Sequence, residues 1–266
     1  MMSKLNFDFS VEEFAVSLSL VKKIEEAKGL LTNAFGKSSP DEEKGRLLAA
    51  YNSLFARGLL TYGQGEAALH PDIKKILDIF FDSRKLIKVG KSVDSGEDVV
   101  SYYFHQDAWL EHSIVQGIAH RFRYPVKEKE IQNNISKFFS PHGLSGKTSV
   151  CVDMPADLLN SLPGTLSNYD TVLAVLSKND VSISPEMNLL ADDIANGEWR
   201  GSTVWMSRVD EESLLLRGYL WVQGKERLWT INSKNSDDSL TLQAALCSKD
   251  DFHLKLHELV FTKPNI

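Results

Sequence analysis

Two stretches decide the fold: SYYFHQDAWLEHSI (Ser101–Ile114) and RGYLWVQGKERLWTI (Arg217–Ile231). In each, an aromatic-rich run crosses a short polar turn and enters a second run that carries a tryptophan, Trp109 or Trp229. Twofold alternation marks a strand with one face in a core, and two such runs across a polar turn form a hairpin. Working outward, both hairpins have the same neighbours. Ahead of the first, Pro71 opens a helix in which Ile73, Ile76, Leu77, Phe80 and Phe81 share one face, and the strand Leu86–Val89 follows. Behind it, Ile118, His120, Phe122 and Tyr124 alternate until Pro125 ends the sheet. Ile131, Ile135, Phe138 and Phe139 then mark a closing helix. Ahead of the second hairpin come a helix opened by Ser184 and Pro185, stopped by Gly197, and the strand Thr203–Val209. Behind it come the strand Leu240–Cys247 and a helix with Phe252, Leu256, Leu259 and Val260 on one face.

Helix, four strands, helix therefore occurs twice, as an old duplication would leave it. The expected fold class is α+β, with two quasi-equivalent halves sharing or flanking an antiparallel sheet and helices packed on one face and at the ends. The Ser-, Gly- and Pro-rich SPHGLSGK (Ser140–Lys147) is the expected linker. It divides residues 1–145 (helical 10–82, sheet 85–124, helix 127–139) from residues 146–266 (helices 155–197, sheet 202–247, helix 249–260). Trp109 and Trp229 are expected to be buried equivalents of one another.

The first quarter is helical and marks its own starts. Ser10 with Glu13 forms a capping box, flanked by Phe9 and Phe14 at the spacing of a hydrophobic staple. A second helical segment covers Ile24–Phe35. Ser39, Pro40 and Glu42 start a third, in which Leu47, Leu48, Tyr51, Leu54 and Phe55 recur at helical spacing up to Gly58.

The chain has 266 residues, 42% hydrophobic and 25% charged, with a net charge of -6, which gives it no overall pull toward nucleic acid or anionic membranes. Cys151 and Cys247 fall in strand-like runs and read as buried thiols of a reducing, cytoplasmic protein. Neither a signal peptide nor a membrane span is expected.

Motifs that invite chemistry fail on spacing or context. GLSGKT (Gly143–Thr148) has two residues between its glycines where a phosphate loop needs four, and it follows a helix instead of preceding one. His253 and His257 stand four apart on the last helix without a third metal ligand. His105, Asp107, Glu111, His112 and His120 gather in the first sheet without a nucleophile motif, and an exposed sheet face accounts for them. The basic strip His120, Arg121, Arg123, Lys127 and Lys129 is offset by Glu128 and Glu130. Ala56–Pro71 has the look of a winged-helix fragment, but the helix before it opens with Asp41, Glu42 and Glu43, which repel phosphate. No catalytic, cofactor or metal residues are assigned, and no nucleic acid or membrane insertion is expected.

The long pattern, with ARGLL (Ala56–Leu60) and RGY (Arg217–Tyr219) as its sharpest points, resembles the EspG family of type VII secretion chaperones over nearly the whole chain. The resemblance implies two quasi-equivalent α+β halves on a central antiparallel sheet. It also implies a non-enzymatic chaperone or adaptor that captures a helical secreted partner in the cytoplasm. By position it points to the early-strand loop Gly90–Asp98 and to the region 158–196, with Val93, Leu162, Leu166, Leu173, Leu176 and Leu190 as partner-binding residues. The alternatives are a regulatory protein with a degenerate winged helix and an enzyme of another type. A contiguous exposed apolar patch on the helices of the second half would favour the chaperone reading, a basic surface on one helix the regulatory one, and a deep pocket gathering His105, His112 and His120 the enzyme.

Overall fold

A computed structural model describes residues 4–63, 65–93, 96–143, 150–155, 168–176, 184–208, 214–236 and 239–261. The elements are β1 (Leu5–Ser10), α1 (Val11–Leu20), α2 (Ile24–Phe35), α3 (Pro40–Ala56), β2 (Leu60–Gly63), β3 (Glu66–Leu69), α4 (Pro71–Asp82), β4 (Lys85–Val93), β5 (Gly96–His105), β6 (Ala108–Val115), β7 (Ala119–Val126) and α5 (Glu128–Phe139). Then follow β8 (Cys151–Pro155), α6 (Tyr169–Leu176), α7 (Pro185–Asn196), β9 (Trp199–Arg208), β10 (Leu214–Gln223), β11 (Leu228–Ser236), β12 (Ser239–Leu246) and α8 (Lys249–Phe261).

The fold is α+β. Among the described residues ten strands form one sheet in the order β1-β7-β6-β5-β4-β9-β10-β11-β12-β8, and β2 and β3 form a separate hairpin. Read inward from its two edges, the sheet runs β1, β7, β6, β5, β4 from one side and β8, β12, β11, β10, β9 from the other. The two successions match strand for strand, which is the duplication expressed as topology.

The chain forms two compact units. One is built mainly from residues up to 86 together with 98–127. Its N-terminal caps form as the sequence dictates: Ser10 and Glu13 cap α1 reciprocally, and Ser39 and Glu42 do the same for α3. Phe9 and Phe14 meet at 6.4 Å, and both belong to a core with Leu54, Ile73, Ile76, Leu77, Leu110 and Phe122. Burial alone would raise the Glu13 carboxyl, but hydrogen bonds from Ser53, the Ser10 backbone and Arg57 together hold it below its usual value. Arg57 also donates to the Asp8 carbonyl at 2.8 Å, so the end of α3 is tied to both β1 and α1.

Two expectations change here. β1 has no counterpart in the sequence reading, although its pairing of Phe7 with Phe122 and Phe9 with His120 makes β7 an interior strand. Pro125 does not end the sheet. It lies inside β7, where Trp109 pairs with Val126 and Glu111 with Arg123, so that Tyr124 and Pro125 bulge opposite Leu110. On its other side β1 begins at Leu5 opposite Tyr124, so the missing proline N–H interrupts no ladder.

The other unit holds 87–97, 128–206 and the chain from 214. Its core packs α6 and α7 on β8 and β10–β12 through Val152, Met154, Val172, Leu176, Leu190, Ile194, Trp229 and Leu242. On the other side of β10, Trp221 donates to Thr203 Oγ1 at 3.2 Å and meets Phe252 of α8 at 5.0 Å. The closing helix of the first half, α5, belongs to this unit. Its Phe139 stacks on Trp199 at 5.0 Å, and Gln132 reaches the His253 carbonyl of α8. Lys91 caps the C-terminal end of α5 by donating to the carbonyls of Phe138 and Phe139.

The tryptophans are both buried, at 3% for Trp109 and 0% for Trp229. They are not equivalents. Trp229 faces α7 within its core. Trp109 lies between Ala108 and Leu110, which face the core containing α4, so Trp109 points away from that core and packs on Phe104 at 5.0 Å. The hairpins correspond, but the tryptophan alignment is out of step by one residue, which exchanges faces.

Candidate functional site

The histidines of the first sheet are not surface groups. His112 on β6 and His120 on β7 are buried at 8% and 4%, within a cage made by Phe14, Phe80 and Phe122. Their Nε2 and Nδ1 atoms face each other at 2.9 Å, so one neutral ring donates and the other accepts. Burial, with the neighbouring His120, pushes His112 down to about 3, and burial pushes His120 down to about 4. A pair spent on itself and sealed in aromatic rings presents neither nitrogen to a substrate. His105 and Asp107 stay at the β5–β6 turn, away from the pair, and Glu111 binds Arg123 through a bidentate ion pair. The expectation of an exposed sheet face therefore fails for Glu111, His112 and His120, and Asp107 is exposed in the turn between the strands. Phe122, alternating in β7 beside His120, was the signal for an inward face.

His253 and His257 sit on α8 against Phe252 and Phe261 respectively. Among the described residues no three metal-ligating side chains converge. Cys247 is buried, and burial beside Asp251 pushes its thiol up to about 12. Cys151 is exposed, contrary to expectation, because it opens the edge strand β8 on the face opposite Val152 and Met154.

A polar cluster that the sequence did not announce organises the second unit. Asp193 of α7 is 3% exposed and accepts from Arg227 at 2.7 and 3.2 Å and from the Trp229 indole at 2.7 Å. Gln223, fully buried, donates to the carbonyls of Gly224, Arg227 and His142. Two glycines make room: a Cβ on Gly224 would lie 1.9 Å from Asp193 Oδ1, and one on Gly197 would lie 2.2 Å from the Asp193 carbonyl. The buried side chains Asp193, Gln223 and Trp229 are all hydrogen-bonded within this knot, so it fixes the β10–β11 turn on the end of α7.

Of the residues expected to bind a partner, Leu176 and Leu190 are buried at 1% and 0% and hold α6 and α7 to the sheet. Leu173 packs at the margin of that core and keeps part of its surface. Val93 ends β4. Leu162 and Leu166 lie outside the described residues, as does GLSGKT beyond its first glycine.

Among the described residues, exposed apolar side chains occur in both units: Leu189 of α7, Leu216 of β10 and Leu254 of α8 in the second, and a patch on α3 in the first. α3 buries Ala50 and Leu54 but leaves Leu48 at 59% and Phe55 at 52% exposed. Tyr62 of β2, 65% exposed, meets Phe55 edge-on at 6.3 Å and extends the patch. Between α1 and α3 runs a groove of about 530 Å³, floored by Val16, Leu20, Leu47 and Tyr51 with Leu48 on its lip. A second cavity of about 360 Å³ adjoins it at the α2–α3 turn, lined by Lys28, Phe35, Lys37, Ser38 and Arg46, and Glu43 borders both. The periodicity of α3 marked Leu47, Leu48, Tyr51, Leu54 and Phe55 as one apolar set. The structure divides that set between core and surface.

Residues 7–254 match the family model described as "Uncharacterised protein YfjC". No curated protein matches the sequence. Fourteen chains of solved structures match in fold. One is the Mycobacterium tuberculosis type VII secretion system chaperone EspG5, solved in complex with a PE25–PPE41 dimer. The likeness covers 98% of this chain and 98% of that one, with a TM-score of 0.64 at 9% identity.

Proposed function

We propose that this chain, which belongs to the YfjC family, is a non-enzymatic chaperone or adaptor that captures a helical protein, in the cytoplasm and before that protein's secretion. The observation that carries this reading is the whole-chain likeness in fold to EspG5, a chaperone whose own structure holds a protein dimer. Two features of the chain agree with it. The histidines that looked chemical, His112 and His120, are buried and paired with each other, and the buried Asp193 is taken up by Arg227 and Trp229. The surface instead offers Leu48, Phe55 and Tyr62 in one patch, the kind of exposure that marks a protein-binding face. No described helix is long and apolar enough to cross a membrane.

The segments expected to take part are the second-half region around Leu173 and the early-strand segment at Val93, where β4 ends. The test is capture of the tagged full chain from its native cytosol, identification of the companion, and reconstitution of the pair from purified proteins. A stoichiometric complex with a helix-rich protein, weakened by Leu173→Glu or Val93→Glu with the fold retained, is the expected result. Failure of any captured protein to reconstitute a complex with the purified chain overturns the reading.

A further inference from the structure

We infer that two copies of this chain pair antiparallel through α3, along the stripe Gly45, Leu48, Ala49, Asn52, Phe55 and Ala56; the inference stands apart from the capture proposed for the second half. These residues stand at i, i+3, i+4, i+7, i+10 and i+11, which is one face of a helix, and all of them are exposed and uncharged. The opposite face of α3 holds the helix to its core through Ala50 and Leu54, which turns the stripe to solvent. Gly45 is out of place in a single molecule. Glycine inside a helix costs about 1 kcal/mol against alanine. A Cβ at this position would meet nothing within 4 Å, so no contact within the chain calls for glycine there. A second backbone laid close across the stripe does.

The occupant is the same chain because the stripe matches itself when reversed. Leu48 and Phe55 lie on either side of Asn52. A twofold axis beside Asn52 therefore sets Leu48 of each molecule against Phe55 of the other, and Gly45 against Gly58. The two Asn52 amides meet near the axis, where each can donate and accept, and a polar residue within an apolar seam fixes its register. Phe55 of the other molecule then covers Leu48 on the lip of the α1–α3 groove. Parallel pairing would instead set Asp41, exposed at the start of the same stripe, against its own copy.

Charge and area both admit this pairing. Glu25, Asp41, Glu42 and Glu43 stand beside Lys28, Lys37, Lys44 and Arg46, four of each sign, so one copy meets the other without net repulsion at this end of the molecule. Leu48, Phe55 and the neighbouring Tyr62 are each more than half exposed, which leaves on the order of 100 Å² of each in solvent. With the small residues of the stripe added, two copies would bury roughly 1,000 Å² in total, at the lower bound of a specific interface and suited to a reversible dimer.

The test is sedimentation of the purified full chain across a concentration series. A monomer–dimer equilibrium with a Kd on the order of 10–100 µM is expected. Leu48→Glu and Phe55→Lys, made separately, should each weaken it by at least about tenfold. Mixing those two variants should restore a one-to-one dimer, because residue 48 of one molecule meets residue 55 of the other. Gly45→Gln should raise the melting temperature of the dilute chain, where helix propensity acts alone, and weaken the dimer. Circular dichroism of each variant confirms that the fold is kept. A chain that stays monomeric throughout, a dimer indifferent to Leu48→Glu, or mixed variants that fail to recombine overturns the inference. A monomer that loses a reconstituted helical protein on Leu48→Glu also overturns it and gives the face to that protein. A dimer with the expected variant pattern, in a chain that captures no protein, supports the pairing while the capture reading falls.

Discussion

The imidazoles of His112 and His120 lie parallel, 4° apart between planes, with Nε2 of one 2.9 Å from Nδ1 of the other. Both are neutral in the fold, at about 3 and about 4, against 6.5 for a free histidine. In the unfolded chain they take up protons as pH falls below that free value. The fold cannot follow, so stability is full above about pH 6.5 and drains away as pH falls toward 4. At pH 5 the pair should have cost about 4 kcal/mol, about 2 for each ring. Denaturant unfolding across this range, compared with His112→Phe/His120→Phe, should show the variant with a much flatter profile. A variant with the same slope would show that the pair does not govern it.

Among the described residues, Asp193 is the buried carboxylate of the second unit. Asp193→Ala removes the acceptor of Trp229 and the ion partner of Arg227 together, and should cost about 3–5 kcal/mol. Gly224→Ala attacks the same knot sterically, because its Cβ would collide with Asp193 Oδ1 at 1.9 Å, and should cost at least about 2 kcal/mol. Chemical denaturation of both proteins measures the two costs.

The tryptophans should part company under conservative substitution. Among the described residues, the Trp109 indole N–H is buried without a hydrogen-bond partner. Trp109→Phe removes that orphan donor along with some apolar area, and the expected change is within about 1 kcal/mol. Trp229→Phe strips a hydrogen bond from a buried carboxylate, and about 2–3 kcal/mol should be lost. Equal effects in paired melts would refute the asymmetry.

Local signals were the legible part of the fold. Ser10–Glu13 and Ser39–Glu42 each place a hydroxyl and a carboxylate three residues apart, and such contacts can be read from spacing alone. The alternation of Tyr102, Phe104 and Trp109 likewise located a hairpin. What alternation does not reveal is which face is which. A strand buried on both sides gives Leu110 and Trp109 equal claim to one core, and the register that separates them comes from β7, across the Pro125 bulge. Asp193 stayed hidden because its partners lie 34 and 36 residues away and ADDIANG looks like any helix end. Its traces are Gly224 and Gly197, two glycines needed for room. The α1–α3 groove was half legible: the apolar stripe of α3 was plain, but its division between core and surface depends on α1 and β1, and the alternation of Leu5, Phe7 and Phe9 in β1 does not say that its partner is β7, more than a hundred residues on.

Phe139 closes the first repeat in sequence yet stacks on Trp199, and Gly201 leaves its ring room where a Cβ would approach to 2.3 Å. The second copy of the ancestral gene thus came to depend on a piece of the first. Expressed from residue 146 onward, the later half would lack α5 and β4 and show Trp199, Trp221 and Phe252 to solvent, so an aggregating fragment is expected on a sizing column. The later repeat is therefore no self-sufficient domain: its aromatic core is closed by a helix written in the earlier one.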